Sequence, residues 1–189
     1  YRRGIWVTKR TGEFGAKKKY ALIDEKGKLK IRGFETVRRD WCPLARELQS
    51  LVLEMILNEG NEKSALELVK KTIKDIKERK IEREQIIIRT QLKKPLSEYK
   101  AITHHVIAAQ KIKARGEPLD IGMLIEYFIA ETREKKALVR EKVKLPDEKG
   151  EYNIEYYLEH QILPAVENIL EVFNINIKEV ADGKKQTKL

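Results

Sequence analysis

The 189-residue sequence is poor in the features that disulfide scaffolds and membrane segments need. It has a single cysteine, which excludes an internal disulfide and favours a reducing compartment, so the expected location is cytoplasmic. No apolar run approaches the roughly 18 residues of a membrane span, and no signal-peptide pattern is present. Because the sequence begins at Tyr1 rather than Met, we expect a segment to precede it.

Side chains suited to catalysis are also scarce. His104 and His105 are adjacent and would diverge by about 100° on a helix, so they do not easily share a metal. The sequence has no Asp-x-Asp or Asp-x-Glu pair suited to Mg²⁺, no Gly-rich phosphate loop and no Gly-x-Ser-x-Gly motif. Its Glu-rich stretches lie among Lys and Arg at helix-surface spacing, which is typical of solvated ion pairs. Independent catalysis by this chain is therefore disfavoured.

Positive charge is what the sequence has in excess. Its 40 Lys and Arg against 30 Asp and Glu give a net charge of +10, which favours a polyanionic partner. Residues 1–39 carry a net +9 and residues 89–115 a net +6, while residues 40–88 and 116–189 carry −1 and −4. Solvated Lys-rich surface is the alternative, but such surface usually interleaves both signs, as residues 62–84 do. The charged fraction of 37%, rich in Lys and Glu, fits a heat-adapted source.

Alternating apolar and polar residues near the start predict a small antiparallel sheet. The expected strands are Ile5 to Lys9, Lys18 to Asp24 and Leu29 to Arg32, the last two joined by the turn Glu25 to Lys28. Neighbouring side chains of a strand point to opposite faces, so Lys18 and Tyr20 are expected to share one face and Lys17 and Lys19 the other.

The remainder predicts a mostly helical lobe with a few short strands, which makes the fold class α+β. Asp40 is a candidate N-cap with Pro43 in the first turn, Gly60 is a C-terminal stop, and Asn61 caps a second helix. The further elements expected are a strand at Ile86 to Ile88, a helix at His105 to Arg115, a strand at Leu124 to Ala130, an exposed excursion over 131–151, and a long helix from Asn153 that Pro164 divides.

Several segments, taken in order, resemble family B DNA polymerases of the archaeal type. Lys17 to Asp24 looks like the Lys-Lys-Arg-Tyr segment of that family, with Lys19 in place of Arg, and Gly4 to Lys9 is similar to the strand before it. Residues 10–16 stand between the two as an insertion. The segments similar to the approach to the thumb and to the thumb itself are Arg32 to Trp41, Tyr99 to Ala101 followed by His105 and Val106, and Tyr156 to Ala165. The resemblance covers essentially the whole chain.

The resemblance implies a DNA-directed DNA polymerase of which this chain is only a part. Residues 1–35 would form a β hairpin at the junction of palm and thumb, residues 36–178 the thumb, and residues 179–189 a C-terminal tail. The implied partners are primer–template DNA and the palm and exonuclease portion, whether in the same polypeptide or in a separate subunit. The catalytic aspartates and their Mg²⁺ belong to that palm, so this chain alone is expected to be inactive and to hold no cofactor.

The resemblance also assigns DNA contacts to particular residues. In this family the lysine–tyrosine segment holds the duplex near the growing end, which implies contacts by Lys17, Lys18, Lys19 and Tyr20, with Lys18 facing the minor groove. Minor-groove acceptors occur on every base pair, so a lysine there tests pairing shape without reading sequence. Lys19 lacks the planar fork of Arg, which argues against a bidentate contact. The stretch similar to the thumb region that tracks the duplex backbone contains Arg89, Thr90, Gln91, Lys93, Lys94, Tyr99 and Lys100. We expect the two basic stretches to converge on one duplex.

Two further sites have more than one interpretation. Arg38 and Arg39 suit either DNA or acidic residues of the palm. Gln186 and Leu189 form the Q-x-x-L opening of a sliding-clamp-binding motif, which implies the clamp as a partner; its aromatic pair would lie beyond residue 189, and a plain polar tail is the alternative.

Two other functions compete with a polymerase component. A stand-alone nucleic-acid-binding module without catalysis, such as one for structured RNA, would usually expose aromatic side chains, and only 7% of these residues are aromatic. A helical protein-interaction module with incidental basic surface would not bind DNA even at low salt. A side-by-side titration with duplex DNA and hairpin RNA separates the first two functions, and the absence of DNA binding at low salt identifies the third.

Overall fold

The computed structural model describes residues 1–7, 19–34, 37–38, 40–132 and 138–181, without the side chains of residues 139 and 140. Strands in this part of the chain are β1 (Arg3–Val7), β2 (Lys19–Ile23), β3 (Leu29–Arg32), β4 (Ile88–Gln91), β5 (Leu124–Ile129) and β6 (Val143–Lys144). Helices are α1 (Pro43–Glu54), α2 (Glu62–Lys77), α3 (Arg83–Ile86), α4 (His104–Ala114), α5 (Val139–Lys142), α6 (Ile154–Tyr157), α7 (Leu163–Leu170) and α8 (Ile177–Ala181). Among the residues described, no helix is both long enough and apolar enough to span a membrane.

The chain divides into two compact units, and both sheets are antiparallel, so the fold class is α+β as predicted. The first unit draws its described residues from Tyr1–Arg38, Leu44–Lys80 and Leu158–Leu189, and the second from Arg39–Pro43 and Ile81–Tyr157. The predicted domain boundaries at residues 35 and 178 stay predictions.

In the first unit, β1, β2 and β3 form a sheet in that order, with one face against the core. Ile5 of β1 pairs with Ala21 of β2, and both are buried together with Ile23. The predicted strand at Leu29 to Arg32 is confirmed, and β1 and β2 confirm the other two over their described residues. Lys18 lies outside the described residues.

The helices of the first unit begin and end where local rules place them, with one exception. A π-helical segment, Met55–Glu59, continues α1. It ends at Gly60, which adopts a left-handed φ of 66° and whose N–H donates to the Ile56 carbonyl at 3.1 Å, so the predicted stop is confirmed. The Asn61 side chain accepts the N–H of Ser64 at 3.0 Å, which confirms the predicted cap. The predicted cap at Asp40 is wrong, because α1 begins at Pro43, whose fixed φ suits a first helical position.

The long helix predicted from Asn153 is present but divided. It runs as α6, a π-helical turn at Leu158–Ile162 and then α7. Pro164 lies in the first turn of α7, directly after the π-helical turn, and lacks the N–H that would continue the hydrogen-bond pattern of that turn. The predicted division at this proline is confirmed.

In the second unit, β4, β5 and β6 form a sheet in that order, and the predicted strand at Leu124 to Ala130 corresponds to β5 with a bridge at Ala130. Tyr157 is fully buried beside this sheet. Its hydroxyl donates to the Ile86 carbonyl at 2.8 Å and accepts the Ile129 N–H at 3.1 Å. Burial raises the pKa of Tyr157 well above 10.0, so the phenol remains a donor.

Two predictions in the second unit are wrong. The expected strand at Ile86 to Ile88 begins only at Ile88, where β4 starts to pair with β5 at Tyr127, while Ile86 ends α3 and Ile87 is extended between them. The expected excursion over 131–151 contains α5 and β6 among its described residues. Val143 pairs with β5 and is buried, as is Leu145, because these two apolar side chains alternate along the segment and complete the core.

Candidate nucleic-acid interface

The open face of the first sheet carries a row of three side chains, one from each strand. Trp6 pairs with Tyr20, and Tyr20 pairs with Arg32, so the three lie side by side across the sheet. Their even-numbered positions in β1 and β2 are opposite to the buried Ile5 and Ala21, which places the row on the side away from the core. Trp6 is 64% exposed. We call this surface the open face.

Gly4 allows the Trp6 indole to lie over the sheet. A Cβ at Gly4 would come within 2.7 Å of the Trp6 ring and 2.5 Å of a Leu22 methyl. Any side chain at this position would therefore displace the indole. Trp6 and Arg32 were not among the predicted site residues, because their position beside Tyr20 depends on the register of the three strands.

The lysine–tyrosine segment is described only in part. Tyr20 lies on the open face, half-buried, and Lys19 lies on the opposite face at the start of β2, paired with Val7. Lys17 and Lys18 lie outside the described residues, as does the predicted minor-groove contact. The predicted convergence of the two basic stretches stays a prediction for the same reason.

The first residues of the second basic block are held by β5. The Arg89 Nε donates to the Glu126 carboxylate at 2.6 Å, and the two residues are paired in the register of β4 and β5. The Thr90 and Tyr127 hydroxyls share a hydrogen bond at 3.3 Å, and the Gln91 amide donates to the Gly122 carbonyl at 3.1 Å. Arg89 and Thr90 thus have partners on β5, and Gln91 has one in the turn that precedes β5.

The loop after β4, residues 92–103, is organised around Tyr99. The Tyr99 hydroxyl accepts the Lys93 N–H at 3.0 Å, and the Lys94 ammonium lies 4.9 Å from the centre of the Tyr99 ring. The edge of the ring meets His105 with the ring centres 5.4 Å apart. Lys93 and Lys100 are exposed, and neither forms an ion pair with any residue that the structure describes.

His105 forms the inner wall of this loop. Its Nδ1 and the Thr103 hydroxyl lie 3.0 Å apart. Partial burial, followed by the positive charge of Lys93, lowers the pKa of His105 below 6.5. The imidazole is therefore neutral at pH 7 and adds no charge to the loop.

The remaining predicted residues give less information. Arg38 is exposed, while Arg39, Gln186 and Leu189 lie outside the described residues. Within the described ranges, no three His, Cys, Asp or Glu side chains come together as a metal site would require. The Mg²⁺ implied by the resemblance therefore does not fit any cluster of this part of the chain.

Comparisons with known proteins agree on one family. The family sequence model that describes DNA polymerase family B matches residues 14–173. A DNA polymerase of Pyrococcus glycovorans is 43% identical over the whole of this chain, which covers 24% of that protein, and one of Methanocaldococcus jannaschii is 38% identical, with 11% covered. The structure of the family B DNA polymerase of Pyrobaculum calidifontis matches 85% of this chain and 21% of its own, with 33% identity and a TM-score of 0.68. The chain thus spans a quarter or less of the length of these relatives.

Proposed function

Because the chain belongs to DNA polymerase family B, we propose that it is the thumb portion of a template-directed DNA polymerase. In this role it holds the primer–template duplex through phosphate and minor-groove contacts. A palm that lies outside this chain carries nucleotidyl transfer and binds the Mg²⁺ that the reaction needs. The exonuclease portion and the palm are its partners.

The observation that carries this proposal is the loop after β4. Lys93 and Lys100 are exposed without acidic partners among the described residues, and Tyr99 orders the backbone between them. An ammonium group is a point charge with three donors that binds a phosphate oxygen whatever the base sequence. A polymerase must hold every sequence it copies, so contacts of this kind suit its thumb.

The sheet of the first unit supports the same role. Tyr20, in the segment that resembles the family's duplex-holding motif, lies on the open face rather than against the core. Its hydroxyl is a donor that can reach a phosphate oxygen.

The test compares two pairs of lysines in the full polypeptide. Lys93→Ala with Lys100→Ala removes two exposed cations of the loop. Lys70→Ala with Lys71→Ala is the matched control, because those lysines pair with Glu67 at 3.1 Å and Asp75 at 2.8 Å. The dissociation constant for a primer–template duplex is measured from 50 to 200 mM salt.

The loop variant should weaken binding by roughly 5-fold per lost phosphate contact and lower the salt slope by about 0.9 for each. The control should change neither quantity by much. Equal effects of the two pairs would overturn the proposal. Tighter binding to hairpin RNA than to duplex DNA would favour a stand-alone RNA-binding module, and no binding at low salt would favour a protein-interaction module.

A further inference from the structure

We infer that a groove between α7 and α8 binds the segment that follows α8, residues 182–189 of the same chain. A lysine of this segment pairs with Glu159, and the apolar lining of the groove receives Leu189. Gln186 and Leu189 are then held by the chain itself, so a clamp that binds them must first displace them. The inference does not depend on DNA binding and goes beyond the proposed function.

The groove lies within the first unit and has both apolar and charged walls. Its volume is 480 Å³, within the range of clefts that hold ligands, roughly 300–1,000 Å³. The apolar lining comes from the start of α7 and the end of α8, and its residues are Leu163, Pro164 and Ala181. The charged lining residues are Glu159, Glu167 and Lys178. We call this surface the α7–α8 groove.

One carboxylate of the α7–α8 groove has no cation beside it. Glu167 is matched by Lys178 at 3.0 Å, which holds α8 against α7. Glu159 is exposed and forms no hydrogen bond or ion pair with any residue that the structure describes. The groove therefore suits a ligand that combines a positive charge with an apolar side chain.

The chain supplies such a ligand directly beyond α8. Residues 182–189 lie outside the described residues, and their sequence contains three lysines, one aspartate and one leucine. Ala181 ends α8 and lines the α7–α8 groove, so the segment leaves from the wall of the groove. Extended chain spans up to about 3.4 Å per residue, so the four residues from Ala181 to Lys185 reach as far as about 14 Å. This length lets a lysine meet Glu159 on another wall.

A second groove at the end of α8 suits the same segment less well. It lies between α2 and α8, and its charged lining residues are Lys70, Lys74, Lys77 and Glu78. The Lys77 ammonium also donates to the Ala181 carbonyl at 2.9 Å, which places a cation at the point where the segment departs. Like charges repel at close range, so a segment with three lysines is disfavoured there. Charge thus selects the α7–α8 groove.

Tethering favours this segment over a free peptide as the occupant. A ligand joined to its site by a short flexible link has an effective concentration on the order of millimolar. Even an intrinsic dissociation constant of about 0.1 mM would then leave the groove mostly filled. A separate basic peptide lacks this advantage and has to displace the chain's own segment.

The first experiment maps the pairing directly in the full polypeptide. A zero-length carbodiimide joins a carboxylate to an amine that it contacts, and mass spectrometry identifies the linked peptides. We expect a link from Glu159 to Lys184 or Lys185 within one polypeptide. A mixture of ¹⁴N- and ¹⁵N-labelled protein separates links within one chain from links between two copies.

The second experiment measures how fast trypsin cleaves after Lys184 and Lys185, since bound residues resist proteolysis. Glu159→Gln removes the charge of the groove and should speed this cleavage roughly 3-fold, the size expected for one exposed ion pair. Glu155→Gln is the matched control, because Glu155 is exposed one turn earlier on α6 and does not line the groove. Leu189→Ser should speed cleavage as Glu159→Gln does, because it removes the apolar contact.

Equal cleavage rates in the Glu159 and Glu155 variants would overturn the inference. Links from Glu159 only to a second copy, or only to the palm portion of the polypeptide, would show a different occupant and would overturn it as well. None of these measurements involves DNA. Failure of duplex binding therefore removes the proposed function alone, and failure of the cross-link and protection removes this inference alone.

Discussion

The two basic regions of this chain differ in how their cations are held. On the open face, the Arg32 side chain has no hydrogen bond or ion pair with a described residue, and the pairing of β3 with β2 fixes its place. In the second region, Arg89 is matched by Glu126 at 2.6 Å and Lys94 lies over the ring of Tyr99. Positive charge counted along the sequence therefore overstates the charge that a phosphate can meet.

The two regions also differ in what holds their side chains in position. The row on the open face is set by backbone pairing over three strands and by the space that Gly4 leaves for the Trp6 indole. The loop after β4 depends on one tyrosine, which binds the Lys93 backbone and lies under Lys94. Substitution of Tyr99, which leaves every cation in place, should therefore affect the loop and not the sheet.

Substitution of Tyr99 should produce the largest loss of duplex affinity among variants that keep every cation. Tyr99→Phe removes the acceptor for the Lys93 N–H, and the net value of one such hydrogen bond predicts duplex binding weaker by about 5-fold. Tyr99→Leu also removes the ring beneath Lys94 and should weaken binding by about 10-fold. The salt slope should hardly change, because all the lysines remain.

The measurement is the dissociation constant over a range of salt, with Tyr1→Phe as the control. Tyr1 is 69% exposed, and among the residues that the structure describes its hydroxyl contacts only Lys30, at 3.4 Å. A Tyr99→Phe protein that binds as tightly as the parent would show that the loop orders itself without this hydroxyl, and the contrast with the sheet would then disappear.

Removing the acidic partner of Arg89 should leave the second basic region with an unpaired arginine, as the open face has in Arg32. Glu126→Gln removes the carboxylate that matches Arg89, so we expect a salt slope steeper by up to about 0.9 and duplex binding tighter by on the order of 3-fold. Arg89→Gln in the parent should cost less affinity than Lys93→Ala, because the charge of Arg89 is already paired with Glu126.

The control is Glu84→Gln, which makes the same change in charge at an exposed residue without a described ion pair. It should tighten binding only through the general field, which salt screens. Equal salt slopes for the Glu126 and Glu84 variants would mean that Arg89 does not reach phosphate even when it is released.

The parts of the fold that follow from local rules were predictable from the sequence. The β3 bounds, the Gly60 stop and the Asn61 cap each depend on residues within a few positions of one another. The family was predictable because its segments occur in order, and its alternating strand positions place Tyr20 on the open face. Local conformational preference and side-chain period settle features of this kind.

The features that the sequence did not predict depend on contacts between residues far apart in the chain. Val143 and Leu145 lie in a highly charged segment, and only their pairing and packing in the β5 sheet make them core residues. The pairing of Arg89 with Glu126 likewise requires the register between β4 and β5, which the sequence does not specify. The same limit explains why Arg89 and Lys93 look equivalent in the sequence but not in the structure.

The smallest expected effect is a change in the titration of His105. Burial and then the charge of Lys93 hold the pKa of this imidazole below 6.5. The folded state thus favours the neutral form, and its contribution to stability is present above pH 6.5 and declines as the pH falls through the folded-state pKa. A phosphate at Lys93 would offset the second cause, so duplex binding should raise the pKa of His105.

Titration of the imidazole by NMR, with and without duplex, measures this shift. Linkage then requires duplex affinity to increase slightly as the pH falls from 7 to 5.5, because the protonated form binds better. Lys93→Ala is the control: it should raise the pKa of His105 in the free protein and reduce the further rise on binding. If the duplex leaves the pKa of His105 unchanged while Lys93→Ala raises it, no phosphate lies near Lys93, and the second region would hold DNA through Lys94 and Lys100 alone.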